Sequence, residues 1–231
     1  MNLQETFDFL NFWINKYTGA WYTFQELEMV IDRGQMSLFN DLQIQYATSQ
    51  RVKDGLAPFR QTVQFTPATS PNGLITISSL SNVPYISLLD LRIEFTDASG
   101  RDNFVSVKMY NEDELSFRLM SQIDPLTEEF PIGEVVSKGV FQLYPATGYT
   151  GRVTYLRRPV KPNAVPDPNQ SGGRVIVIDE SLSTQVEWLE NWQNAVLIKA
   201  LSSIGINLGE QDIMQYAELK SQSNFVSKNM V

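Results

Sequence analysis

Glu112, Asp113, Glu114, Asp124, Glu128 and Glu129 crowd into one short stretch of this chain. Two carboxylates held a set distance apart across a cleft can hydrolyse a glycosidic bond, provided one of them keeps its proton. The same residues also fit a plainer role, as solvated acids at a helix start facing the positive end of the helix dipole. Sequence shows no convergence of any two of them, and the helix start is the simpler reading. Other catalytic chemistries are closed by composition. The 231 residues include no cysteine and no histidine. That removes thiol nucleophiles, disulfides, cysteine-ligated zinc, Ser–His relays and the HExxH metal site. No glycine-rich phosphate loop and no GxSxG elbow is present,. The chain is read as non-enzymatic, with no cofactor and no metal.

Binding chemistry is better represented. Arg152, Arg157, Arg158, Lys161 and Arg174 fall in a stretch whose only acid is Asp167. They are either a solubilising surface or a contact with an acidic partner, and the acidic residues within 90–134 are a matching face on a neighbour. Opposed patches of this kind favour register and specificity over raw affinity. Trp13 and Trp21 flank the first helical connection, and Trp188 and Trp192 stand four apart in a later helix. Tryptophans anchor cores and interfaces alike, so these four join the basic residues as candidate subunit contacts. The formal net charge of -8 disfavours general nucleic-acid or anionic-membrane binding,. No apolar run has membrane-spanning length, and Glu5 and Asp8 interrupt the N-terminal apolar residues, so neither a membrane partner nor an export signal is expected,.

The elements that must carry these residues follow from periodicity. Phe7, Leu10 and Ile14 predict a helix over 5–17. Thr23 and Glu26 make a capping box for a second, with Gly34 stopping or bending it. A third is expected over 37–50. Period-two alternation then predicts strands at 61–66, 74–77, 85–95 and 104–109. Asn111 caps a short helix whose first turn carries Glu112, Asp113 and Glu114. Strands return at 135–136 and 140–144, and 151–156 is expected to pair with 140–144 as a hairpin. A Pro/Gly-rich segment, 159–173, reads as an extended linker, followed by a strand at 175–178. Helices are expected over 183–204, capped by Ser183, and over 210–223.

The resulting order is helices over 1–58, a β-rich region over 59–158 with one short helical segment, an extended linker or arm over 159–174, and a strand with helices over 175–231. The fold class is α+β, with the N- and C-terminal helices packed as a body and a mainly antiparallel middle. Short, turn-rich connections argue against a βαβ fold.

Two stretches carry a resemblance. One is Trp21-Tyr22-Thr23-Phe24-Gln25-Glu26-Leu27 with Phe39-Asn40-Asp41. The other is Gly139-Val140-Phe141-Gln142-Leu143-Tyr144-Pro145 with Gly151-Arg152-Val153-Thr154-Tyr155-Leu156-Arg157-Arg158-Pro159. With the helices over 188–219, the chain resembles structural proteins of crAss-like and related Bacteroidetes phages, which are themselves similar to head-to-tail adaptors and tail ring proteins. The resemblance implies an adaptor-like helical body and a virion subunit of the neck or tail, assembled in the host bacterial cytoplasm. It also implies self-association into a closed ring, twelve-fold where such rings meet the portal, with portal, adaptor or tail ring proteins as neighbours. Packaged DNA would be met only in non-specific passage through the channel. The 159–173 linker is expected to be loose in the free chain and ordered by a partner. Two other readings stand beside this one. The first is a carbohydrate- or receptor-binding module using exposed Tyr85, Tyr149 and Tyr155. The second is a hydrolase built on the acidic cluster.

Overall fold

The structure, a computed structural model, describes residues 1–81, 84–96, 100–120, 126–167 and 177–208. The chain divides into two compact units. One joins Met1–Pro58 with Pro159–Val231, and the other is Phe59–Arg158.

The first unit is helical. Helix α1 (Leu3–Thr18) opens on Asn2, whose side chain accepts from the Glu5 amide while Glu5 reaches back to the Asn2 amide. It closes on Gly19 at φ 69, a left-handed conformation that a residue without Cβ adopts without strain,. Helix α2 (Phe24–Ile44) begins with the predicted Thr23–Glu26 capping box. It does not stop at Gly34. The glycine sits mid-helix because α6 (Glu190–Ser203) crosses there, and a Cβ would lie 2.6 Å from the Ala200 amide nitrogen. The predicted third helix is therefore the second half of α2, followed by a separate short α3 (Gln50–Gly55). Phe7, Leu10 and Ile14 of α1, Leu27 and Ile31 of α2, and Val196 and Leu201 of α6 are buried and form this unit's apolar interior.

Helix α6 starts seven residues later than the pattern over 183–204 suggested. Residues 183–189 are extended because their side chains serve distant backbone. The Ser183 hydroxyl accepts from the Val165 amide (2.8 Å), Gln185 from the Leu3 amide (2.7 Å) and Glu187 from the Val160 amide (2.8 Å). Ser183 thus caps nothing, and Trp188 precedes the helix. The helix expected over 210–223 lies outside the described residues.

The second unit holds eight strands in two sheets. They are β1 (Arg60–Phe65), β2 (Leu74–Thr76), β3 (Tyr85–Thr96), β4 (Asp102–Ser106), β5 (Lys108–Tyr110), β6 (Ile132–Ser137), β7 (Val140–Tyr144) and β8 (Thr150–Arg157). One sheet runs β1-β8-β3-β4 and the other β2-β7-β6-β5. Phe65, Leu91, Ile93 and Val153 from the first meet Ile75, Phe141 and Leu143 from the second in a single core, the layered solution for sheets with one apolar face each. Short helices α4 (Ile77–Leu80) and α5 (Glu112–Leu119) complete the unit.

Two strand expectations need correction. The stretch 151–156 does not pair with 140–144. Strand β7 lies inside one sheet, between β2 and β6, and β8 enters the middle of the other, between β1 and β3. Gly151 permits that central place, since a Cβ there would lie 2.1 Å from the Arg92 carbonyl oxygen. The stretch 104–109 is two strands. Buried Val107 donates its amide to the Leu91 carbonyl and passes the chain from one sheet to the other. Every strand pairing among the described residues is antiparallel except β5–β6, which is parallel with α5 in the connection. One local βαβ-like crossover thus sits inside an otherwise antiparallel α+β fold.

Candidate functional site

The predicted contact residues divide by burial. Trp13 and Trp188 are 1% and 2% exposed. They pack inside their own unit and leave no surface for a neighbour. Trp13 meets Phe12 edge-on (5.2 Å) and stacks on Tyr17 (6.0 Å), with the Lys16 ammonium 4.4 Å from its ring. Trp192 is half-buried, with the Arg51 guanidinium 5.5 Å over its ring and Gly55 packed against its indole. Trp21 alone of the four is open to solvent, at 71%. It stands beyond Gly19, just before the α2 cap, and Tyr17 and Phe12 are exposed on α1.

The basic residues have partners within their own units. Arg152 on β8 lies 4.8 Å over the Phe104 ring and stands directly opposite Arg92, which pairs with Asp90. Like charges facing across strands are unfavourable unless each is compensated, and here each is. Arg157 lies 5.7 Å over Phe59 and donates to the Arg158 carbonyl, while the Arg158 amide donates to Pro84. Lys161 approaches Glu28 at 3.8 Å. Arg174 lies outside the described residues.

The described part of the expected loose linker is tied down. Glu28 of α2, 6% exposed, accepts the Ala164 amide at 2.7 Å, and Gln35, fully buried, donates to the Val160 carbonyl at 3.0 Å. With Ser183 and Glu187, these side chains hold 160–165 along the helical unit. A proline-rich strand lacks amides at several positions, so its remaining backbone groups need such side-chain partners when covered. Residues 165–167 then run antiparallel to 177–179, and Asn163 pairs with Thr184. The Asp167 amide donates to Val177 and the Asp179 amide to Val165, both at 2.8 Å. Sequence reasoning missed Glu28 and Gln35. The available signal was a Glu and a Gln on the apolar side of α2, seven residues apart.

The acidic cluster is exposed. Glu112, Asp113 and Glu114 fill the first turn of α5, and Glu128 and Glu129 lie in a turn. Asn111 precedes the helix as expected, but its side chain makes no capping bond. Asp124 lies outside the described residues. Glu112 lines a groove of about 440 Å3 with Met109, Tyr110, Asn111, Glu134, Val135 and Val136. Glu134 accepts the Tyr144 hydroxyl at 2.7 Å, which, with burial, holds that phenol above its usual range.

This groove lies along the edge of β6. Strand β5 ends at Tyr110, opposite Glu134. Beyond it, Val135–Ser137 has β7 on one side and, among the described residues, no strand on the other. A register shift between Val135 and Ser137 breaks the alternation, leaving Val135 and Val136 54% and 56% exposed,. In the same unit Phe117, Met120 and Phe130 are exposed by 79%, 80% and 63%.

The three tyrosines of the ligand-binding reading do not form a platform. Tyr155 and Tyr149 are buried at 0% and 5%, and Tyr85 packs its ring on Phe141 and Tyr155. The Tyr149 hydroxyl donates to the Pro145 carbonyl. Among the described residues no group of three or more metal-ligating side chains occurs, and no helix is long and apolar enough to cross a membrane. No protein-family model matches the chain, and no curated protein matches its sequence.

Proposed function

We propose that this chain is a structural subunit of a tailed-phage neck or tail, built into a closed ring around the DNA channel. Its work is architectural. Neighbouring copies, and the portal, adaptor or tail ring proteins above and below, are its partners, and it carries no active site. The observation that favours an assembly subunit is the amount of large apolar side chain left in solvent. Phe117 and Met120, three residues apart at the end of α5, are 79% and 80% exposed, and neighbouring exposed apolar side chains mark interaction sites where scattered single ones do not. The placement in a phage neck or tail rests on the sequence resemblance. A ring satisfies one heterologous contact all the way round without growing a fibre. With a net charge of -8, a channel face lined by this chain would let DNA pass without gripping it,.

The test is the mass of the full chain in solution, alone and mixed with the portal and tail proteins encoded beside it. A discrete high-order oligomer, or a stable complex only with those proteins, is the expected result. A monomer that ignores them all would overturn the proposal.

A further inference from the structure

Helix α5 carries its larger apolar side chains on the outside. Of its residues only Leu115 is buried. Asp113, Phe117 and Met120 follow one another at spacings of four and three, so they share one stripe. Phe117 and Met120 on that stripe are 79% and 80% exposed. A surface helix ordinarily shows the reverse, with its apolar stripe turned inward. The first turn adds Glu112 and Glu114 beside Asp113, and no ion pair joins any of the three to a described residue.

Complementary chemistry lies on the β1-β8-β3-β4 sheet, on the face turned away from the core. Leu91, Ile93 and Val153 point into the core, so their chain neighbours Arg92 and Arg152 point out. The two arginines stand opposite each other on β3 and β8. Arg92 has Asp90 as its partner. Arg152 has the Phe104 ring, 4.8 Å away, and no carboxylate within ion-pair distance among the described residues. Phe104 is itself 49% exposed. This face thus offers a guanidinium without an acid beside an exposed ring, and α5 offers acids without a cation beside exposed apolar side chains. The spacings agree as well. Side chains one helical turn apart, such as Asp113 and Phe117, are separated by roughly 5–6 Å, and the Arg152 guanidinium lies 4.8 Å from the Phe104 ring.

We propose that α5 of one copy docks on this sheet face of a second copy, with the Asp113 carboxylate on Arg152 and with Phe117 and Met120 over Phe104. A carboxylate matches the planar donors of a guanidinium, and the ring supplies the apolar half of the contact. This deepens the ring reading and rests on it. The two patches differ, so the contact is heterologous and repeats from copy to copy until the ring closes.

Sedimentation velocity on the full chain tests it. Phe117→Ser removes the apolar anchor, and Asp113→Arg and Arg152→Glu each reverse one charge of the pair. Each is expected to weaken self-association by about tenfold or more. Combining Asp113→Arg with Arg152→Glu is expected to recover most of that loss, which a merely structural role for either residue would not produce. Asp113 and Phe117 are exposed, so their variants should melt with the parent, and they carry the test even where Arg152→Glu unsettles the sheet. If the wild type assembles and Phe117→Ser and Asp113→Arg assemble equally well, the docking contact is wrong and the ring reading stands. If those two variants assemble normally but lose binding to the proteins encoded beside the chain, α5 faces another protein and the contact between copies is wrong. If the wild type is monomeric alone and with its neighbours, both readings fall.

Discussion

In the helical unit, Glu28 and Gln35 point from α2 into the chain's own backbone and hold residues 160–164. In the β unit, Glu112 and Glu134 line a groove beside a strand edge with which no described strand pairs. Both regions combine carboxylates with extended backbone. In the first the extended segment is already seated, and the polar side chains complete an internal structure. In the second the side chains line the edge, and no described strand pairs with it. The difference separates a segment whose backbone is already partnered from an edge that, among the described residues, has no strand beside it.

The largest effects should come from the glycines that let each unit close. Gly151→Ala drives a Cβ to 2.1 Å from the Arg92 carbonyl, and Gly34→Ala drives one to 2.6 Å from the Ala200 amide. Neither neighbour is a flexible side-chain end, so each substitution should cost about 3 kcal/mol in chemical denaturation. Next comes the latch. Glu28→Ala strands the Ala164 amide in a covered place and should cost about 2 kcal/mol, with Glu28→Gln losing less because it keeps an acceptor,. The matching change in the groove, Glu112→Ala, removes an exposed side chain and should shift stability by no more than about 0.5 kcal/mol,. Equal losses at Glu28 and Glu112 would erase the contrast between the two regions.

Capping effects are smaller. Thr23→Ala should cost about 1 kcal/mol, read from the melting curve. The Thr23 amide and then its hydroxyl bond the Glu26 carboxylate and hold its pKa below the ordinary 4.5. The Ser181 hydroxyl and then its amide do the same for Asp179, below 3.8. Both folded values lie under the unfolded ones. Their stabilisation is therefore present above the ordinary carboxylate range and fades as pH falls through the folded values. Glu26→Gln, which removes the titrating group, should flatten the acid limb of a stability–pH curve. An unchanged acid limb would remove Glu26 from it.

Much of the local structure was legible in the sequence. The Thr23–Glu26 box and the strands at 60–65, 85–96 and 150–157 carry their own periodic or capping signals. What periodicity could not show was which partner each element takes. Gly34 reads as a break until α6 is seen crossing it. Strands β7 and β8 look like a hairpin because both alternate around a turn, yet core packing sends them to different sheets. Residues 183–189 have helical spacing, but their side chains are taken by distant backbone amides. The candidate site was half legible. The acids at 112–114 stood out, but the β6 edge beside Glu112 depends on where β5 stops relative to β6, a tertiary fact with no trace in composition. Among the tryptophans, burial alone separates Trp21 from Trp13 and Trp188, and amino-acid type could not.

The proposed ring requires the chain to join copies of itself. Single-particle imaging of the purified full chain, paired with its solution mass, tests this most directly. Closed symmetric rings with masses at one fixed multiple of 26.2 kDa are the predicted result. Isolated 26.2 kDa particles at every concentration, with and without the proteins encoded beside it, would contradict it.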